Sequence, residues 1–161
     1  MDKILDEKQF GDVFVEEIQQ IGDSETLFCL SKGQIVVAES GYPGKIKGSF
    51  KSEINKSWKF KAIVTYKDQF GIISCSNKSN YIELFDRESF TLTFNSAKKL
   101  NICDCLVDVD DDNRTLLKLL LVEHKNNKYA VINYQTGNKT YEIESKTGIQ
   151  FWVILITVSK L

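Results

Sequence analysis

Apolar and polar residues alternate with a period of two along most of the chain, in short runs broken by polar turns. IELFDRESFTLTF (82–94) and AVINYQTGNKTYEIE (130–144) show it most clearly. That period is the signature of a half-buried strand. No segment keeps a helical period: in DEKQFGDVFVEEIQQI, Phe10, Phe14 and Ile18 recur every four residues, but Gly11 and the β-branched residues weaken a helix there.

The strands recur at a fixed distance. SKGQIVVAE (31–39), KSNYIELFD (78–86) and KNNKYAVIN (125–133) are spaced 47 residues apart, so that Glu39, Asp86 and Asn133 align, as do Ile35, Ile82 and Tyr129. ETLFCL (25–30), IISCSN (72–77) and LLLVEH (119–124) precede them at the same step. Lys32-Gly33, Ser79-Asn80 and Asn126-Asn127 supply the expected two-residue turns, because Gly and Asn tolerate the positive φ of a type I′ hairpin. A second polar turn follows in each unit, SGYPG (40–44), RES (87–89) and YQTGNK (134–139), and then a short strand: KIKGSF (45–50), FTLTF (90–94) and TYEIE (140–144).

One further strand opens each unit: VFVEEIQQI (13–21), FKAIVTY (60–66) and ICDCLVDV (102–109). The units therefore run over about 13–50, 58–96 and 101–145, and IQFWVILITV (149–158) begins 47 residues after Ile102 as an extra strand. No composition shift or Gly-rich linker marks a boundary, so residues 1–161 read as one β domain.

A four-stranded unit of this length cannot bury both faces alone and needs neighbours stacked on it. Alternating strand, Asp or Asn, turn, alternating strand, as in IELFDRESFTLTF and AVINYQTGNKTYEIE, resembles the outer half of blades in WD40-like and quinoprotein-like β-propellers. The Gly-His and Trp-Asp dipeptides of WD40 repeats and the glycine pairs of kelch blades are absent, so no subfamily is named. The resemblance implies an all-β chain: a partial propeller of about three four-stranded antiparallel blades with an extra C-terminal strand. Propellers close with about four to eight blades. Three blades thus imply a fragment of a larger propeller, a ring completed by another chain, or closure as another β-structure. An up-and-down β-barrel with a cavity for a small apolar ligand is the alternative fold.

Composition narrows the function. A hydrophobic fraction of 42%, a charged fraction of 27% and a net charge of −1 describe a globular protein without the basic excess that drives phosphate binding. No nucleic-acid partner is expected. The start of the chain lacks the basic and apolar regions of a secretory signal, and FWVILITV (151–158) is too short to span a bilayer. A cytoplasmic protein with no membrane partner is expected, with Cys29, Cys75, Cys103 and Cys105 as reduced thiols. The four Asn-X-Ser/Thr sequons, beginning at Asn55, Asn77, Asn113 and Asn138, read as accidents of an Asn-, Lys- and Ser-rich sequence.

Candidate chemistry is sparse. DVDDDN (108–113) offers carboxylates, but an EF-hand loop starting at Asp108 needs Gly and Glu where Asn113 and Leu119 stand, so it reads as a solvated hairpin loop. Cys103 and Cys105 lack a second Cys or His pair to complete a zinc site and read as small core-facing residues of one strand. His124, the single histidine, sits at a strand end, and no G-x-S-x-G, P-loop or G-x-G-x-x-G motif occurs. WKFK (58–61) is the one place where aromatic and basic residues interleave, and strand packing accounts for it.

No catalytic residue, metal or cofactor is expected, and the chain reads as a non-enzymatic protein–protein interaction scaffold. Part of a propeller enzyme is the other alternative. The working surface should be the turns at one end of the sheets. Phe151, Trp152, Ile154 and Ile156 would form a hydrophobic edge for strand pairing with a partner or a second copy.

Overall fold

The computed structural model describes residues 14–21, 23–41, 45–53 and 58–144. They form twelve strands and two short 3₁₀ turns. The first sheet holds β1 (Val15–Ile21), β2 (Glu25–Leu30), β3 (Gln34–Glu39) and β4 (Ile46–Lys51) in sequence order. The second holds β5 (Lys59–Tyr66), β6 (Gln69–Ser76), β7 (Ser79–Asp86) and β8 (Leu92–Asn95). The third holds β9 (Ile102–Val109), β10 (Leu116–Lys125), β11 (Lys128–Asn133) and β12 (Lys139–Glu144). Every pairing within the sheets is antiparallel. The described residues thus form an open, partial propeller of three blades. The expected strand 149–158, with Phe151, Trp152, Ile154 and Ile156, lies outside the described residues.

The sheets stack through the middle one, which buries both faces. Ile63, Phe70, Ile72 and Phe85 point at the first sheet and meet Leu27, Cys29, Ile35, Val37 and Phe50. Their chain neighbours Val64, Ile73 and Leu84, with Ile82, point the other way and meet Cys105, Leu116, Leu119 and Leu121 of the third sheet. Adjacent residues alternate between two cores, which is why the middle strands read as near-continuous apolar runs. Gly71 is required here, since a β-carbon would lie 2.7 Å from the Val64 side chain. The barrel alternative is not what forms: β4 does not pair with β5 or β8 with β9, because a single barrel would leave one face of the middle sheet in water.

Polar contacts lock the stack. The Gln19 side chain donates to the Ile63 carbonyl at 2.5 Å and accepts from the Ile63 N–H at 3.2 Å, pairing with the free edge of β5 as a backbone would. Two residues on, Thr65 N–H donates to the carbonyl of Arg114, in the turn between β9 and β10, at 2.9 Å. Buried Glu25 binds Lys47 at 2.5 Å and also Arg87, whose guanidinium lies 5.2 Å from the Phe70 ring. Buried Glu83 accepts from the Ser52 hydroxyl and from Glu53 N–H at 2.8 Å. Buried Asp104 accepts from Asn80 N–H at 2.7 Å.

The turns follow the 47-residue step only in part. Asp86 and Asn133 head the same turn: each carbonyl accepts from the N–H four residues on, and each side-chain oxygen from the N–H groups two and three residues on. Asn126-Asn127 makes its expected turn, with φ of 50° and 57°. The pair Ser79-Asn80 does not. The chain reverses at Asn77-Lys78, with φ of 48° and 68°, so Ser79 and Asn80 belong to β7. In the first unit the reversal is a 3₁₀ turn, Ser31–Gly33, with Gly33 at φ 77°. FTLTF also begins later than expected, at Leu92, because Phe90 takes φ 57° inside the turn.

Candidate interaction cleft

Hairpin alternation sends the β5–β6, β7–β8, β9–β10 and β11–β12 turns to one end of the stack. There Tyr66, Lys67, Asp68, Gln69, Asp86, Tyr134 and Gln135 line an open cleft of about 560 Å³. Each reaches it for a local reason. Tyr66 and Gln69 are the paired ends of β5 and β6, which places Lys67 and Asp68 at the hairpin tip. Asp86 closes β7, and its carboxylate is held by Ser89 N–H at 2.7 Å and Ser89 hydroxyl at 2.8 Å. Tyr134 follows β11 and is fixed by its N–H on the Leu119 carbonyl at 3.0 Å, while the Gln135 side chain accepts from Leu119 N–H at 3.3 Å.

Two aromatic rings, Tyr66 and Tyr134, belong to the lining, and Phe94 packs against Tyr134. Tyr134 lies edge-on to Tyr66 at 6.3 Å and tilted against Phe94 at 4.8 Å. The Lys67 ammonium sits 5.2 Å from the centre of the Tyr66 ring, within cation–π range. Burial, then the neighbouring Tyr66, push the Tyr134 phenol above its ordinary range, with Lys67 opposing. Hydrogen bonds from Ser89 hold the Asp86 carboxyl below its ordinary range, so it is ionised at neutral pH. The Thr65–Arg114 bond ties the turn that carries Asp110, Asp111 and Asp112 to the edge of β5.

The other candidate groups have structural roles. DVDDDN ends β9 with Asp108 and Val109 and then turns towards β10, where Asp110 accepts from Asp112 N–H at 2.9 Å. Among the described residues no three His, Cys, Asp or Glu side chains converge on a metal position. Burial raises Cys29 to about 12 and Cys103 to about 11, and raises Cys105 further, so these thiols are protonated at neutral pH. His124 stacks on Tyr129 at 4.3 Å. Trp58 stacks on Tyr81 at 5.0 Å, which occupies the aromatic face of WKFK. Among the described residues no helix is long and apolar enough to cross a membrane.

Sequence reasoning pointed to the turns at one end of the sheets but assigned none of the cleft residues to a site. Tyr66, Lys67 and Asp68 are local to one hairpin, whereas Tyr134 joins them only through sheet stacking. A usable signal was present: Asp86 and Asn133 align at the 47-residue step, so the residues around both had to share one end. No protein-family model and no curated protein matches this chain.

Proposed function

We propose that this protein is a non-enzymatic interaction module of propeller type, working in the cytoplasm, which receives a segment of a partner protein in the cleft between its second and third sheets. The observation that carries the reading is the lining itself. Two tyrosines, two carboxylates, a lysine and two glutamine side chains, drawn from both sheets, share one open cleft. An open, mixed surface of this kind suits an extended polar chain better than an enclosed apolar ligand, which requires a deep and mostly hydrophobic site. Aromatic side chains on a rigid frame also supply contact area at low entropic cost. The four unpaired cysteines support a reducing compartment.

Selection from a random peptide library displayed on phage, followed by amide shift mapping of the enriched peptides, tests the proposal. It predicts enriched sequences whose shifts centre on residues 66–69, 86 and 134–135. Failure to enrich, or mapping to the opposite end around Asn77 and Asn126, contradicts it.

A further inference from the structure

The cleft has a charge character that goes beyond its being a docking place. Its lining holds two carboxylates, Asp68 and Asp86, against one ammonium, Lys67. The nearby Arg87 does not correct this imbalance: its N–H donates to the Asp68 carbonyl at 2.9 Å, but its guanidinium turns away to buried Glu25 and the Phe70 ring. The turn from Asp110 to Arg114, tied to the edge of β5, adds three carboxylates against one guanidinium. The one lining cation shows where positive charge is accepted, since Lys67 lies over the face of Tyr66. Tyr134 stands at 67° to that ring in the same lining, so an ammonium or guanidinium there meets the Tyr66 face in a cleft that also holds two carboxylates.

We infer that the cleft recognises a lysine or arginine side chain of the bound segment, seated against Tyr66 and Tyr134 and facing Asp68 and Asp86, with Lys67 as the intramolecular cation it displaces. This rests on the proposed docking function and adds the chemistry of the partner. Both contributions favour a cation: ring quadrupoles attract positive charge, and a surface of one sign steers a partner of the other. Lys67 is exposed at a hairpin tip, so its displacement disturbs no core.

Two blocked peptides of glycine and serine test the inference, one carrying a central Arg-Lys-Arg triplet and the other Glu-Glu-Glu. They are titrated into the full chain at physiological salt and followed by amide shifts. The basic peptide should move residues 66–69 and 134–135 saturably, and the acidic peptide should not. Lys67→Gln should tighten binding of the basic peptide and Asp68→Asn should weaken it, each by about two- to fivefold. Tyr134→Phe should keep binding and Tyr134→Leu lose it, with unfolding midpoints recorded for both. Since Lys67 and Asp68 are exposed, those two variants decide the question even if Tyr134→Leu unfolds. Equal shifts from the acidic peptide, no shift from the basic one, or affinities unchanged in both Lys67→Gln and Asp68→Asn would overturn the inference. The phage selection separates the two levels: enriched peptides that map to the cleft but carry acidic residues leave the docking function standing and sink this proposal alone.

Discussion

Thr93 and Thr140, 47 residues apart, make the same hydrogen bond: each hydroxyl donates to the backbone carbonyl nine residues earlier, at Leu84 (2.9 Å) and Val131 (3.2 Å). The repeat therefore extends below strand order to single side chains on the outer hairpin. It places the Asp86 and Asn133 turns at one end of the stack, and so brings Tyr66, Asp86 and Tyr134 into one cleft.

Gln19 is the sharpest test of the contact between the first two sheets. Its amide satisfies both backbone groups of Ile63, which is fully buried. Gln19→Ala should cost about 1–3 kcal/mol in chemical denaturation, the penalty for stranding buried polar groups. Gln19→Glu should cost a similar amount, since a carboxylate cannot donate to the Ile63 carbonyl. A loss within error of zero for both variants would show that water reaches this edge.

Equivalent turn positions should respond oppositely to glycine. Phe90, Arg114 and Gly137 each stand four residues after the turn head, with φ of 57°, 59° and 72°. Arg114→Gly should stabilise the fold by up to about 1 kcal/mol, because the left-handed conformation costs a side-chain-bearing residue that much. Phe90→Gly should destabilise it by about 2–3 kcal/mol net, because the ring stacks on Phe50 at 6.0 Å and fills the space over Gly48. Thermal unfolding of the two variants reads the contrast, and equal effects would refute it.

The buried acids predict an unusual pH profile. Burial holds Glu83 above 4.5 and Asp104 above 3.8, only partly offset by their hydrogen bonds, so the folded chain retains these protons to higher pH than the unfolded chain. The stabilisation linked to them is complete below those ordinary values and is lost as pH rises through the folded ones. Glu25 behaves in reverse. Burial would raise it, but Lys47 and Arg87 outweigh burial and hold it below 4.5, so its contribution is lost as pH falls. Stability should therefore rise as pH falls through the folded values of Glu83 and Asp104, and fall again below the ordinary carboxylate range. Glu83→Gln should flatten the upper limb without loss at pH 7, as measured by denaturation at a series of pH values.

The thiols give an independent check on packing. Cys29 and Cys105 are 2% and 0% exposed, and burial raises both thiols. Iodoacetamide followed by peptide mass spectrometry should leave these two unmodified in the native chain and label all four cysteines in denaturant. Native labelling at Cys105 would contradict the core between the second and third sheets.

Much of this architecture was legible in the sequence for a physical reason. ICDCLVDV becomes β9 with its bounds unchanged, because alternation and the adjoining polar turn agree there. The hairpin at Asn77-Lys78 was misplaced by two residues because Ser79-Asn80 also has turn-forming side chains and the 47-residue alignment favoured it. β11 is two residues shorter than β7, which a fixed period cannot register. The locking acids were not legible at all: Glu25, Glu83 and Asp104 occupy non-equivalent repeat positions, and each has a partner across a sheet boundary.

Methyl–methyl nuclear Overhauser contacts from the adjacent residues Ile72 and Ile73 test the stacked-sheet account most directly. It predicts that Ile72 meets Leu27 and Val37 of the first sheet, while Ile73 meets Leu119 and Leu121 of the third. Contacts from both isoleucines to the same sheet, or from one of them to no neighbouring sheet, would contradict it, and the cleft built on that stacking would fail as well.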